Sequence, residues 1–377
     1  METKEFDKIR PYHDHEVNAA ILRMMEHPHF HAALQYLFSE EEKQEVITKL
    51  KKVNTSLDFQ RVLMHKAINS ILEKTSTGFS MSNGHLLIEN EPSVFVANHR
   101  DILLDSAILQ VVLVDLGLET SEITFGSNLM MNDFIIDFGK TNRMFTVFRE
   151  GSAREMLENA KRLSTYIHHT INNKKRSSWI AQRKGRTKNG LDKTDATVLK
   201  MLTTFDRKNP IEAFKAINIL PVVISYEYEP CDLLKIREGF LTKNNRYEKQ
   251  AGEDLKSVLT GITQQKGKIH LAVGNPVNQF IDQNASELDA TNVHQKVADY
   301  IDSEIYLKYQ LYPNHYWAFD QLAQTSNYSD QYSSETESAM LQRLEQLYQL
   351  LGTKNNDLKQ MFLEMYANPL IQKQTKL

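Results

Sequence analysis

His99 stands within six residues of two carboxylates, in the stretch Asn98-His99-Arg100-Asp101-Ile102-Leu103-Leu104-Asp105. An imidazole is the natural proton acceptor near neutral pH, and a neighbouring carboxylate fixes its tautomer and orientation. The chemistry on offer is abstraction of a proton from a nucleophile. Asp101 and Asp105 lie four apart, so on one helix they share a face. A carboxylate in the first helical turn is also favoured by the helix dipole, which gives Asp101 a purely structural use. Asp105 falls a turn further in, where an unpaired charge would be costly. It is the expected partner of His99, with Asp101 as the alternative.

Such a turn needs a strand before it and a helix after it. Val94-Phe-Val-Ala97 is short, apolar and β-branched, and a helical apolar pattern runs over 102–114. Strand, turn and helix in that order place titratable groups outside the carboxyl end of a strand, where open α/β sheets put their sites. Further strands are expected at Leu86–Ile88, Glu122–Phe125, Phe145–Phe148, Trp179–Ala181, Ile219–Tyr226 and Ile269–Val273, with helices over 152–171 and 211–217. That alternation argues for an α/β layered sheet. Residues 1–80 read as a helical subdomain. Ser39 with Glu42 spells a capping box, Phe59, Val62, Leu63, Ala67 and Ile71 keep helical spacing, and Thr77–Ser80 reads as a break. Residues 81–312 read as the α/β catalytic domain. Residues 313–377, rich in Gln and Tyr with leucines at 341, 344, 347, 350 and 351, read as a C-terminal helical extension.

Composition is that of an ordinary globular protein, 41% hydrophobic and 25% charged. One cysteine, Cys231, precludes an internal disulfide and suits a reducing, cytoplasmic compartment. The charged N-terminus carries no signal-peptide pattern, and no run of about 18 apolar residues occurs, so a soluble or membrane-peripheral protein is expected. Net charge is −3, yet residues 140–208 hold 17 Lys and Arg against 6 Asp and Glu. Such a block suits an anionic ligand or lipid headgroups, or it is a solvated helix face. His27, His29 and His31 alternate without a second ligand group at a metal-site offset, so surface histidines are expected.

His99-Arg100-Asp101 and Asp137-Phe138-Gly139 spell two protein-kinase triplets. The metal-binding Asn due five residues after the Asp is Ser106, and neither the Gly-rich loop nor the strand lysine stands upstream. No Gly-x-Ser-x-Gly elbow exists to form an acyl-enzyme.

Four blocks taken together carry a resemblance. Asn98-His99-Arg100 with Asp105 resembles the His-x4-Asp block of the glycerolipid acyltransferases, with one residue more between the His and the Asp. Phe145-Thr-Val-Phe148-Arg149 is similar to their second block. Trp179-Ile180-Ala181, Gly185, Arg186 and Lys188 look like the third block of the soluble glycerol-3-phosphate acyltransferases. Ile219-Leu-Pro221-Val-Val223 matches the fourth. The resemblance covers residues 92–223 and implies a mixed sheet flanked by helices. It implies transfer of an acyl group from acyl-CoA or acyl carrier protein to glycerol 3-phosphate or lysophosphatidate. His99 would be the general base and Asp105 its orienting partner, with Arg149, Gly185, Arg186 and Lys188 at the acceptor phosphate. Neither a metal nor a cofactor is called for, and no nucleic-acid partner. Arg183 and Lys184 are looser candidates for donor phosphates. A thioester hydrolase and a non-catalytic lipid- or acyl-carrier-binding protein are the rival readings.

Overall fold

The computed structural model describes residues 4–148, 150–250 and 252–377. At its centre lie seven strands: β1 Ser76–Ser82, β2 Val94–Ala97, β3 Glu122–Gly126, β4 Met144–Val147, β5 Ser178–Ala181, β6 Ile219–Tyr226 and β7 Gly267–Val273. They pair in the order β1-β7-β6-β2-β5-β3-β4, antiparallel between β6 and β7 and parallel elsewhere. Helices cover both faces, so the chain is an α/β protein with a mixed sheet flanked by helices.

Successive side chains of a strand point to opposite faces, which divides the core in two. Val94 and Val96 join Phe145, Ile180 and Ile219 under the helices Ala153–Asn172 and Val293–Lys308. Phe95 and Ala97 join Trp179, Leu220 and Val222 under the helices His65–Thr75 and Leu104–Asp115. Every residue of β2 and β6 is buried, and strands covered on both faces read as continuous apolar runs.

One expectation fails at the sheet edge, and one strand there was not expected. Leu86–Ile88 is not a strand but part of the short helix His85–Glu89, where only Leu87 is buried. The helical pattern does break before Thr77–Ser80, since the helix ends at Thr75, but the segment is the middle of β1, a strand not expected there. Among the described residues this strand pairs only with β7 and leaves its five central residues exposed, and its one short alternation, Phe79-Ser80-Met81-Ser82, follows a Ser-Thr-Gly start that carries none.

The N-terminal helices Asp14–Met25, Pro28–Leu37 and Glu40–Leu50 pack around Ile21, Leu34, Leu50 and Phe59. The Ser39–Glu42 capping box forms. His27 caps its own helix by accepting from the His29 N–H, and no metal-binding group of side chains occurs among the described residues. The basic block is partly structural. Arg143, Lys174 and Arg176 surround Glu119 and Glu122 at the amino end of β3, away from His99. Among the described residues no helix is long and apolar enough to cross a membrane.

The C-terminal helices Pro313–Ala323, Ser334–Leu351 and Asn356–Gln374 gather around Trp317, Leu344, Leu347, Phe362 and Tyr366. They are tied to the α/β layer by polar contacts. Arg343 pairs with Asp232 at 2.7 Å, the Tyr366 hydroxyl donates to Asp232 at 2.6 Å, and Gln372 brackets the Asp192 backbone at 2.9 and 2.6 Å.

His315 sits in this region among the Tyr309, Tyr312 and Tyr366 rings and accepts the Tyr312 N–H at 2.9 Å. Burial, with Arg100 nearby, pushes its pKa down to about 3 from 6.5. The folded chain keeps this ring neutral while the unfolded chain protonates it. The stability it confers is complete above pH 6.5 and drains as pH falls from there towards 3. Denaturation midpoints measured at pH 7.5 and pH 5 should therefore fall further for the wild type than for His315→Gln. Equal slopes would remove His315 as the cause.

Candidate active site

The carboxyl ends of β2, β5 and β6 lie side by side, so the segments that follow them converge. After β2 the chain turns through His99–Leu103 and enters the Leu104–Asp115 helix. Asp105 is the second residue of that helix and is buried. Its Oδ2 accepts from His99 Nδ1 at 3.0 Å, the Arg100 N–H at 2.6 Å and the Asp101 N–H at 2.8 Å. Its Oδ1 accepts the Tyr226 hydroxyl at 3.0 Å. A carboxylate oxygen can only accept, so Nδ1 carries its hydrogen toward Oδ2 and Nε2 is the ring nitrogen left facing away from Asp105. The His99 side chain is 13% exposed, and Nε2 has no protein partner among the described residues.

Asp101 does the other job. Its Oδ1 accepts the Leu103 and Leu104 N–H groups at 2.9 and 2.8 Å and closes the turn ahead of the helix. Its Oδ2 is buried without a hydrogen-bond partner among the described residues and lies so close to Gly261 that a Cβ there would stand 2.2 Å away. Burial, then the neighbouring Asp105, raises its pKa, while Arg186 opposes the shift. The five residues between His99 and Asp105 are spent on this turn and the first residue of the helix.

Tyr226, the last residue of β6, is a partner that motif reading missed. Burial and Asp105 hold its phenol far from ionisation, so it remains a donor. Trp179 of β5 stands edge-on to the His99 ring, centroids 6.1 Å apart, with its indole N–H buried and unpartnered among the described residues.

Arg100 is not a substrate ligand but a buried hub. Its guanidinium meets Asp192 at 2.6 Å, Glu229 at 2.9 Å and the Gly190 carbonyl at 3.1 Å, over the Tyr309 ring. Lys235 joins through Glu229 at 2.5 Å and the Arg100 carbonyl at 2.6 Å. Burial works against the Arg100 charge, but Asp192 and Glu229 hold its pKa well above the usual value.

Asp192 lies in the loop after β5, which carries Gly185, Arg186 and Lys188. Gln182 N–H donates to the Ala97 carbonyl at 2.8 Å and Thr187 N–H to the His99 carbonyl at 2.9 Å, so this loop is docked on the turn that holds His99. Gly185 has φ +76° with open space around a would-be Cβ, so it serves the backbone turn. At Gly190, also left-handed, a Cβ would stand 2.1 Å from the Met365 carbonyl, so the final helix presses directly on the loop. Arg186 lies beside the Cys231 thiol, with its Nη1 buried and unpartnered among the described residues. Lys188 makes an ion pair with Glu238, and burial lowers its pKa against that pull. Arg149 lies outside the described residues.

Two voids flank the turn. An apolar slot of about 30 Å³ lies between the Leu104–Asp115 helix and the π-helical turn Gln60–Met64, with Leu103 and Ser106 on its wall beside Ile68, Val111 and Met144. A polar cleft of about 450 Å³ borders Arg186 and Lys188.

No protein-family model matches the sequence, and no curated protein matches it. Among solved structures the chain is similar to the 1-acyl-sn-glycerophosphate acyltransferase PlsC from Thermotoga maritima, at 13% identity and a TM-score of 0.36, over 76% of this chain and 92% of that one.

Proposed function

We propose that the protein transfers a fatty acyl group from a thioester, acyl-CoA or acyl carrier protein, to a hydroxyl of glycerol 3-phosphate or its 1-acyl derivative. The observation that carries the reading is the buried Asp105 carboxylate, whose four donors fix His99 with Nε2 free to act. Nε2 takes the acceptor hydroxyl proton as the oxygen attacks the thioester carbonyl. Asp105 stabilises the imidazolium that forms. The tetrahedral intermediate then expels the thiolate, and the imidazolium returns its proton to it. No covalent acyl-enzyme is needed. Burial pushes the Cys231 thiol up to about 11, which suits a packed side chain rather than a nucleophile.

Arg186 and Lys188 are the phosphate-binding pair. The first has a guanidinium nitrogen without a partner and the second an ammonium that Glu238 now holds. The apolar slot begins at Leu103, just before the helix that carries Asp105, and offers a path for the acyl chain. It must widen to accept one.

Thiol release from acyl-CoA with and without glycerol 3-phosphate tests the reading. Acceptor-dependent release is expected. Equal release without acceptor would mean hydrolysis, and no release with any acceptor would mean a binding protein. Arg186→Ala should raise the acceptor KM by about tenfold or more, the worth of a charge-assisted contact, with the donor KM little changed. An unchanged acceptor KM would remove Arg186 from the phosphate site.

A further inference from the structure

The polar cleft beside Arg186 and Lys188 is larger than one phosphate requires. Its walls come from three parts of the chain: the loop after β5, the Asp232–Lys243 helix, and the stretch leading into the Glu253–Thr263 helix. Leu234 is the one aliphatic side chain on them among the described residues, so the cleft does not suit an acyl chain. Its volume of about 450 Å³ falls in the range of sites for a small organic ligand.

Charge describes the ligand further. Arg186, Lys188, Arg237, Lys249 and Lys256 face the cleft with only three carboxylates. Those three are each engaged: Glu238 with Lys188, Glu253 with Arg237 at 3.6 Å, and Asp254 with Lys249 at 2.8 Å. Arg186 and Lys256 have no ion-pair partner among the described residues. A polyanion entering here meets a surplus of positive charge, and the exposed rim pairs can exchange a carboxylate for a phosphate at small cost.

Resting on the acyl-transfer reading, we infer that the outer part of this cleft, at Arg237, Lys249 and Lys256, binds the nucleoside bisphosphate end of a coenzyme A thioester. The inner end, at Arg186 and Lys188, remains for the acceptor phosphate. The placement fits the donor's chemistry. Its thioester lies at the far end of a long flexible arm, so the nucleotide can be held at a distance from His99. The loop that forms the inner end is bonded to the His99 carbonyl through the Thr187 N–H. A concave cleft also favours a small polyanion over the acidic surface of a carrier protein, which a flat or convex basic face would meet.

The test is calorimetric titration of the full chain with adenosine 3′,5′-bisphosphate, alongside steady-state kinetics of a Lys249→Ala/Lys256→Ala double variant. Both lysines are exposed, and an unchanged melting temperature checks the fold. The nucleotide should bind the wild type. The double variant should bind it about tenfold more weakly and show a similar rise in acyl-CoA KM, with the acceptor KM within about twofold. Absent or undiminished nucleotide binding would overturn the inference. So would a rise in acceptor KM alone, or transfer from acyl carrier protein but not acyl-CoA. Binding needs no turnover, so nucleotide affinity lost in the variant of an inactive chain would uphold the cleft and sink only the transferase reading. Active transfer with an unmoved donor KM would sink only the cleft.

Discussion

His99→Ala should lower kcat for acyl transfer by about 10²- to 10⁴-fold, the range for loss of a positioned general base. The melting temperature should change little, because the ring is held by a single polar contact, to Asp105. Asp105→Asn should fall in the same range for a different reason. An amide in that position cannot accept three donors and fix the Nδ1–H tautomer as the carboxylate does, so the ring loses the state in which Nε2 is basic. Tyr226→Phe removes one donor from Oδ1 and leaves the imidazole contact in place, so a smaller loss is expected. Single-turnover rates with saturating acceptor and donor separate these cases from binding effects. Activity within about threefold of wild type in His99→Ala, against the range expected for a base, would end its assignment as the base.

Arg100→Met should destabilise the fold by about 3–5 kcal/mol, because it strands buried charges rather than removing a surface one. Glu229 would retain Lys235, but Asp192 would keep only weaker partners: the Asn98 amide at 3.1 Å and Gln182 at 3.5 Å. The Tyr309 ring would lose the cation on its face. Urea or guanidinium denaturation at neutral pH measures the effect. A shift under about 1 kcal/mol would be the size of an exposed pair and would contradict the burial argument. The same substitution should loosen the loop that holds Arg186 and Lys188, since Asp192 and Gly190 are both Arg100 partners.

The turn that holds His99 and Asp105 was readable because its determinants are local. A buried apolar strand, a His and an Asp at helical offset lie within twelve residues of sequence, Val94 to Asp105. The choice between Asp101 and Asp105 was not readable from spacing alone. It depends on which carboxylate the turn's own N–H groups point at, and the geometry gives Oδ2 of Asp105 two of them and Oδ1 of Asp101 two others. Tyr226 left a faint trace as a polar residue ending the longest apolar strand. The Arg100 network left none, because Asp192, Glu229 and Lys235 reach it from distant parts of the chain. The same holds for the final helices, whose leucines announced a core without saying that Gln372 and Met365 press on the loop after β5. The edge strand β1 was missed because its alternation is limited to Phe79 and Met81 and its centre is buried on neither face.

The contacts between Gln372 and the Asp192 backbone join residues 180 positions apart. Pairings of such separation form only after intervening segments have already condensed, since loop closure must precede the reward of contact. The sheet and its flanking helices can therefore assemble while the loop after β5 is still unanchored. The His99–Asp105 contact joins neighbours six residues apart and needs no such closure, so it is expected to form before the loop after β5 is anchored. A partly folded chain of this kind would hold its imidazole beside Asp105 before Arg186 and Lys188 are fixed in place.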